Sequence, residues 1–256
     1  MIFRRDGQER RQQENDRLDA NKVTVGDRGA VLPLVLVLDT SYSMQGEPIG
    51  VVNETLVKTA EELHTNTSLK YTVRVAIVTF GHDGVLLWKG DRRVPVGEDP
   101  FVVAADWHPP KLKAGGVTPL ADAITLAVRC IEEEKQRLRD KRRNYNRAVC
   151  WCLSDGIPTD ANGEYDDSWR GLIPKLSRSE RKFRLYALYP PGIPPEGKAA
   201  LEQLTSYAWP LEHFAFDDVL PLLSASMSAS SSDPSIQDDE IQETYDKIVM
   251  GRLRRG

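Results

Sequence analysis

Residues 34–46 read LVLVLDTSYSMQG, in which an uncharged apolar run stops at an acid and two hydroxyls. A Leu- and Val-rich run of this kind suits a strand that helices cover on both faces. Open α/β sheets bind ligands at the carboxyl ends of such strands. Asp39, Ser41 and Ser43 follow at alternate positions, so their oxygens can converge on one hard cation, because Mg²⁺ prefers oxygen ligands. The stretch therefore predicts a metal-binding loop at the end of a buried strand.

One carboxylate and two hydroxyls are an incomplete set of metal ligands, so the loop needs oxygens from elsewhere in the chain. Two segments offer them. The sequence GGVTP at 115–119 places the Thr118 hydroxyl just before a predicted helix, and LSDG at 153–156 places the Asp155 carboxylate just after another apolar strand. We expect both side chains to join the first loop at the same edge of the sheet.

The three segments together resemble the metal-ion-dependent adhesion site of von Willebrand factor A (VWA) domains, whose pattern is DxSxS followed by a Thr and an Asp. DxSxS alone is a weak signal, whereas DxSxSM followed by GGxTPL and SDGxPTD is a specific one. The resemblance covers about residues 30–220. The metal ligands that it implies are Asp39, Ser41, Ser43, Thr118 and Asp155.

One position of the metal loop departs from the family pattern, because Tyr42 stands where the family usually has Gly. A phenol beside the ion would narrow the open face of the site. The departure therefore bears on the shape of the ligand more than on the metal.

The resemblance also implies an activity and a fold. The fold is a three-layer, doubly wound, Rossmann-like α/β fold. The activity is non-catalytic binding of a protein partner through Mg²⁺, with Mn²⁺ or Ca²⁺ as alternatives, and in the family the partner supplies a Glu or Asp carboxylate to the ion. The stretches LDTSYSMQGEPI, VNETL and LSDGIPTD are further similar to the bacterial tellurite-resistance TerY-type branch. That likeness implies a role beside a protein kinase and a PP2C-type phosphatase in stress signalling.

Four other interpretations stay open. The metal could only hold the loops together, or Asp39 could cap the loop without any metal. The domain could be an adaptor for a MoxR-type or chelatase-type AAA ATPase, or it could be a metal-dependent phosphohydrolase. Other enzyme classes fit poorly. A haloacid-dehalogenase-type site needs an acid at position 41, where the chain has Ser, and no P-loop or GxGxxG motif stands at a strand–helix turn.

Composition limits the size and the partners of the protein. The chain has 256 residues and 40% hydrophobic content, enough for one α/β domain of about 200 residues with tails. Its net charge is −4, with 34 basic and 38 acidic residues intermixed, so no nucleic-acid surface is predicted. The apolar run at 31–38 is far shorter than the roughly 20 residues of a spanning helix, and the N-terminus has no secretory apolar region. We expect a cytoplasmic protein without membrane insertion.

The three cysteines are predicted to be buried free thiols in a reducing compartment, because an odd number in a chain of this kind does not indicate a disulfide framework. Cys150 and Cys152 place both sulfurs on one side of a strand. This spacing is compatible with a metal, but filling of the core is the favoured interpretation.

We divide the chain into a charged N-terminal arm at 1–28, a VWA domain at 29–224 and a C-terminal segment at 225–256. The C-terminal segment consists of a Ser-rich linker and a short amphipathic helix. This helix is either a frayed tail or a helix that docks in the groove of a partner.

Within the domain we predict a mostly parallel six-stranded sheet with one antiparallel edge strand, which a hairpin at 71–89 supplies. The charged run EEEKQRLRDKRR at 132–143 is expected to be a solvated helix end and loop. The predicted strands are 31–38, 71–80, 84–89, 147–153, 183–189 and 212–216.

Overall fold

The computed structural model describes residues 29–179, 183–211, 221–222, 225 and 234–253. They form an α/β fold in which helices cover a mixed sheet. The strands are β1 (Leu32–Thr40), β2 (Val73–Gly81), β3 (Gly84–Lys89), β4 (Arg92–Val94), β5 (Val102–Val103), β6 (Ala148–Leu153), β7 (Phe183–Tyr189) and β8 (Ala208–Pro210). The α-helices are α1 (Glu47–Thr65), α2 (Leu120–Asp140), α3 (Ile173–Ser179), α4 (Pro195–Leu204) and α5 (Pro234–Leu253).

The centre of the sheet is parallel, and the order of its strands reverses at β1. Strand β1 pairs with β2 on one side and with β6 on the other, and β7 and β8 continue the parallel part. The order is β4-β3-β2-β1-β6-β7-β8, with β5 paired to β2. The switch point therefore lies between β1 and β6. In this architecture a ligand site is expected in the crevice at the carboxyl ends of these two strands.

Strand β1 is buried on both faces, which explains its uncharged sequence. Leu34 and Leu36 pack on the side of α1, whereas Val35 and Val37 pack on the side of α2. Each of these four side chains is at most 2% exposed. The two helices present the apolar stripes that their sequences predict at spacings of three and four residues. The buried stripe residues are Val52, Leu56, Ala60 and Leu63 of α1 and Leu120, Ile124, Ala127, Val128 and Ile131 of α2.

The described sheet has eight strands and not the six that we predict from sequence, and two of them, β3 and β5, run antiparallel to its centre rather than one. Strand β3 forms the predicted hairpin with β2. Strands β4 and β5 lie in a stretch without periodicity, and they have only three and two residues. Strands this short do not show the alternation by which a strand is recognised.

Several sequence predictions fall outside the described residues. They concern the N-terminal arm at 1–28, the strand at 212–216 and the Ser-rich linker at 226–233. Strand β8 stands just before the second of these segments and pairs with β7.

The sequence pattern predicts that the charged run at 132–143 is solvated. In the structure, the part of this run that lies in α2 is not solvated throughout. Glu134 is 0% exposed. Its carboxylate forms ion pairs with Arg74 of β2 and, at 3.1 Å, with Arg137. Asp99 accepts hydrogen bonds from the same two arginines at 3.3 and 3.1 Å. The prediction fails at Glu134 because a buried carboxylate is stable where two guanidinium groups reach it, and Arg74 comes from a distant strand.

The C-terminal helix α5 packs on the domain. Ile241 is 0% exposed and belongs to the same core cluster as the α1 side of the sheet. The Tyr245 ring stacks on Trp209 with a centroid distance of 5.2 Å, and its hydroxyl donates a hydrogen bond to the Pro210 carbonyl at 3.2 Å. The apolar face of this helix is therefore used within the chain, which fits neither a frayed tail nor a helix whose apolar face is free for a partner.

The three cysteines, Cys130, Cys150 and Cys152, are free and buried in the core on the α2 side of the sheet. Burial raises the pKa of each thiol, to about 12 for Cys130. Thiols in this state are poor metal ligands and nucleophiles, because both roles need the thiolate. No helix among the described residues combines the length and the apolar composition needed to cross a membrane.

Candidate metal site

Asp39 lies near the end of β1 and is fixed through both carboxylate oxygens. Its side chain is 1% exposed. Oδ1 accepts a hydrogen bond from the Ser41 backbone N–H at 2.8 Å, and Oδ2 accepts one from the Ser154 hydroxyl at 2.6 Å. Ser154 follows the last residue of β6, so the second bond joins the ends of the two strands at the switch point.

A chain of hydroxyl contacts continues from this carboxylate to the other acid. The Oγ atoms of Ser41 and Ser43 are 3.0 Å apart, and the Ser43 hydroxyl donates a hydrogen bond to Asp155 Oδ1 at 2.7 Å. Ser41 is buried, Ser43 is exposed and Asp155 is partly exposed. The site therefore runs from a buried acid, Asp39, to a rim that solvent reaches.

Thr118, the ligand predicted from the GGVTP segment, is held beside the same rim. Its backbone N–H donates to Thr159 Oγ1 at 2.7 Å, and its carbonyl accepts from the Thr159 N–H at 2.9 Å. A Cβ added to Gly156 would stand 3.2 Å from Thr118 Oγ1 and 3.6 Å from Ser43 Oγ. The two hydroxyls thus flank one small space, which a side chain at position 156 would fill. The structure brings all five residues predicted from sequence to one edge of the sheet.

Two glycines let the loops around the site approach one another. Gly81 has φ +129° and Gly116 has φ +75°, a backbone conformation that residues with a Cβ rarely adopt. A Cβ at Gly81 would come within 2.3 Å of the Ser41 nitrogen, and one at Gly116 within 2.4 Å of the Gly81 carbonyl oxygen. The loops that contain Ser41, Gly81 and Gly116 are therefore packed backbone against backbone.

Tyr42 sits on the rim of the site with its side chain 69% exposed. Its backbone N–H donates to the Gly116 carbonyl at 3.0 Å. The backbone is thus fixed while the ring faces solvent, where an incoming ligand would meet it.

Among the described residues, no basic side chain contributes to the electrostatics of the two acids, Asp39 and Asp155. Burial raises the pKa of Asp39 to about 6, and the nearby Asp155 charge adds to the effect, whereas hydrogen bonds from Ser154 and Ser41 oppose it. Burial also raises the pKa of Asp155. A bound cation would reverse these shifts, because it favours the ionised carboxylates.

The donor set fits a hard divalent cation. No group of three or more His, Cys, Asp or Glu side chains within the described residues could hold a metal ion, so a site here depends on hydroxyl oxygens. Two carboxylates and three hydroxyls that converge on one rim suit Mg²⁺, which takes oxygen ligands and keeps several waters. The five residues would hold such an ion between the ends of β1 and β6.

Two residues that support the site, Ser154 and Thr159, are not among the ligands that the sequence pattern predicts. Ser154 positions Asp39, and Thr159 positions Thr118. Both belong to the stretch LSDGIPTD, so a signal was present in the sequence. Their roles depend on partners far along the chain, which spacing alone does not reveal.

The sequence of the chain matches the family model of the von Willebrand factor type A domain over residues 34–208, more than half of its length. The chain belongs to this family. The VWA match spans all five residues of the site. No curated protein is significantly similar to the chain in sequence.

Solved structures with a similar fold include other VWA proteins and are distant in sequence. Proximal thread matrix protein 1 from the mussel byssus is 17% identical with a TM-score of 0.46, and the match covers 80% of this chain and 47% of that one. The manganese-loaded TRAP protein of Plasmodium vivax is 15% identical with a TM-score of 0.40, covering 72% and 69%. The vWF domain of a type V pili tip protein from Porphyromonas gingivalis is 9% identical with a TM-score of 0.45, covering 80% and 98%. The chain thus spans about half the length of the mussel protein, and similarities at this level say nothing about its partners.

Proposed function

We propose that this VWA domain is a non-catalytic module that binds a protein partner in a Mg²⁺-dependent manner. The observation that carries the proposal is the continuous set of polar contacts from Ser154 through Asp39, Ser41 and Ser43 to Asp155. These residues and Thr118 would hold the ion, with Mn²⁺ or Ca²⁺ as alternatives. When bound, the ion supplies a positive centre that attracts one further anionic oxygen.

The arrangement favours partner binding over a metal that only holds the loops together. Direct contacts hold the loops together, namely the Ser154–Asp39 and Ser43–Asp155 hydrogen bonds and the close contact at Gly81. The open side of the site carries Ser43, which is exposed. A Glu or Asp carboxylate from a partner would therefore have access to the ion from that side.

The same geometry supports a binding role over a metal-dependent phosphohydrolase. A general base needs an oxygen that can reach the proton it takes. Asp39 is buried and accepts hydrogen bonds through both oxygens, so it is suited to hold an ion rather than to move protons on a substrate.

The cellular setting of the module is proposed from the motif resemblance alone. The TerY-type stretches favour a bacterial cytoplasmic protein that works beside a protein kinase and a PP2C-type phosphatase, in stress or tellurite-resistance signalling. The second candidate is an adaptor for a MoxR-type or chelatase-type AAA ATPase. The two settings differ in the partner that would bind at the metal.

A first experiment tests the metal site by titration calorimetry of Mg²⁺ and Mn²⁺ into the wild-type protein and the Thr118→Ala variant. Ser206→Ala serves as a matched control, because Ser206 is exposed and lies outside the site. We expect weaker binding only for Thr118→Ala. Equal affinity in all three proteins would contradict the site.

A second experiment tests the module by affinity purification from the native cell in Mg²⁺ and in EDTA, with wild type and Asp39→Asn. The expected result is a kinase or phosphatase that is retained by the wild type in Mg²⁺ and lost in the other conditions. An ATPase with the same dependence would favour the adaptor setting. Partners whose retention is the same under all conditions would overturn Mg²⁺-dependent binding.

A further inference from the structure

We infer that a basic pocket beside the metal loop forms a second binding site for the same partner, and that this partner presents an acidic segment with two carboxylate side chains. One carboxylate would bind at the metal and the other in the pocket. This inference rests on the proposed function. It adds a chemical class of partner, an acidic peptide segment, to the metal-dependent binding.

The pocket is a cavity of about 190 Å³ that adjoins the metal loop. Thr40 forms part of its wall and is the residue between Asp39 and Ser41. The His82 backbone N–H donates to the Thr40 carbonyl at 3.1 Å, and the Gly115 N–H donates to the same oxygen at 2.8 Å. These bonds fix the two loops that form the pocket against the metal loop.

Cationic side chains outnumber acids in the wall. Arg93, Lys111 and Lys113 line the cavity together with one carboxylate, Asp83. Arg93 is paired with Asp83 at 2.9 Å, which leaves an excess of two positive charges on the lysines. Both lysines are exposed, and neither has a salt-bridge partner in the part of the chain that the structure describes. The pocket therefore presents two positive charges that a ligand can reach.

The backbone between the two lysines is held in place. Asn53 of α1 donates a hydrogen bond through Nδ2 to the Leu112 carbonyl at 3.0 Å and accepts one through Oδ1 from the Leu112 N–H at 2.8 Å. Leu112 itself is 5% exposed. The buried leucine and the paired amide contacts anchor residues 111–113, so the backbone that carries the two lysines is already ordered in the folded domain.

The other wall of the pocket is also fixed. The Arg93 guanidinium lies 5.2 Å from the centroid of the Trp88 ring, and Trp88 Nε1 donates to Thr79 Oγ1 at 2.9 Å. The charged side chains thus stand on two walls of one cavity. Such a cavity can admit a single side chain that carries a carboxylate.

An acidic segment fits this charge distribution better than a nucleic acid. The chain as a whole has a net charge of −4, which does not attract a long polyanion, whereas the excess at the pocket is local. Continuity with a metal site that takes a carboxylate favours a second carboxylate from the same segment. A tenfold gain in affinity corresponds to about 1.4 kcal/mol, which lies within the range that two exposed ion pairs supply.

The test is an NMR titration of isotope-labelled full-length protein in Mg²⁺ with Gly/Ser peptides that contain one glutamate or two glutamates at varied separation. We expect the best two-glutamate peptide to bind about tenfold more tightly than the one-glutamate peptide. In the double variant Lys111→Glu and Lys113→Glu the advantage of the second glutamate should disappear, while the one-glutamate peptide keeps Mg²⁺-dependent binding.

The matched control is the double variant Lys141→Glu and Arg142→Glu, because both residues are exposed and follow α2 at the far end of the helix from Thr118. This control should keep the tenfold preference. Two outcomes would contradict the proposed second binding site without contradicting the metal site. One is equal affinity of the one- and two-glutamate peptides for the wild type. The other is a preference for two glutamates that remains in the Lys111→Glu and Lys113→Glu double variant. If the one-glutamate peptide shows no Mg²⁺-dependent binding, the proposed function itself fails.

Discussion

The Ser154 hydroxyl donates a hydrogen bond of 2.6 Å to Asp39 Oδ2, across 115 residues of sequence. Asp39 is the second-last residue of the buried strand β1, and Ser154 follows the neighbouring strand β6. The bond orients the buried carboxylate and lowers its pKa against the effect of burial. Ser154 thus orients Asp39 and favours its ionised form, which a cation needs, although Ser154 is not one of the five expected ligands.

Removing this hydroxyl should weaken metal binding. In Ser154→Ala, Asp39 loses a donor to its charged form, and groups that orient metal ligands typically contribute about 10- to 100-fold to affinity. We expect a loss of at least about tenfold in Mg²⁺ or Mn²⁺ affinity, measured by calorimetry, with the fold retained. Ser206→Ala should bind like the wild type. Unchanged affinity in Ser154→Ala would show that the bond is only structural.

The raised pKa of Asp39 predicts a pH dependence of stability in EDTA. The folded protein holds the Asp39 proton up to pH about 6, whereas the ordinary pKa of the group is 3.8. The folded state binds more protons in this window, so its stability falls as pH rises from about 4 through about 6. The loss of folding free energy is at most about 3 kcal/mol, and it is complete once the pH is above the raised pKa of Asp39.

Asp39→Asn should lack this fall, because the amide is neutral at every pH in the window. At pH 7 in EDTA we expect the variant to be more stable than the wild type by up to about 3 kcal/mol, while Mg²⁺ stabilises only the wild type. Urea denaturation from pH 4 to 7, with and without Mg²⁺, measures both effects. Parallel pH profiles of the two proteins in EDTA would contradict the buried, uncompensated charge.

The ion pair of Glu134 with Arg74 and Arg137 predicts a large cost for its disruption. In Glu134→Ala two guanidinium groups lose their buried partner, which typically costs about 3–5 kcal/mol. Glu132→Ala is the matched control on the same helix, since its contact with Lys175 is exposed and 4.0 Å long, and it should cost less than about 1 kcal/mol. Urea denaturation of both variants checks the difference. Similar losses would mean that Glu134 is not buried in solution.

The packing of α5 predicts that the C-terminal helix contributes to stability. Ile241→Ala removes a side chain that is 0% exposed and should cost about 2–5 kcal/mol. Met250→Ala, on the same helix and 53% exposed, should change stability by less than about 0.5 kcal/mol. Thermal unfolding of the two variants distinguishes a packed helix from a tail. Mg²⁺ affinity should stay unchanged in both, because no proposed ligand lies on α5.

The sequence alone determined the central strand, the two long helices and the five candidate residues that the structure brings to one edge of the sheet. These features are encoded locally, because a short, uncharged Leu- and Val-rich run favours a strand covered on both faces, and apolar stripes spaced by three and four residues indicate α1 and α2. The five candidate ligands were found because motifs at strand ends meet at one edge of a parallel sheet. The two-residue strand β5 left no such pattern.

Tertiary structure decided what depends on partners distant in sequence. The Ser154–Asp39 bond, the burial of Glu134 between two arginines and the packing of Ile241 all join segments that no local pattern links. The same holds for the basic pocket, because Lys111 and Lys113 appear in sequence only as two surface charges. The physical reason is that burial and charge pairing are set by three-dimensional proximity, whereas strand and helix formation follow from neighbouring residues.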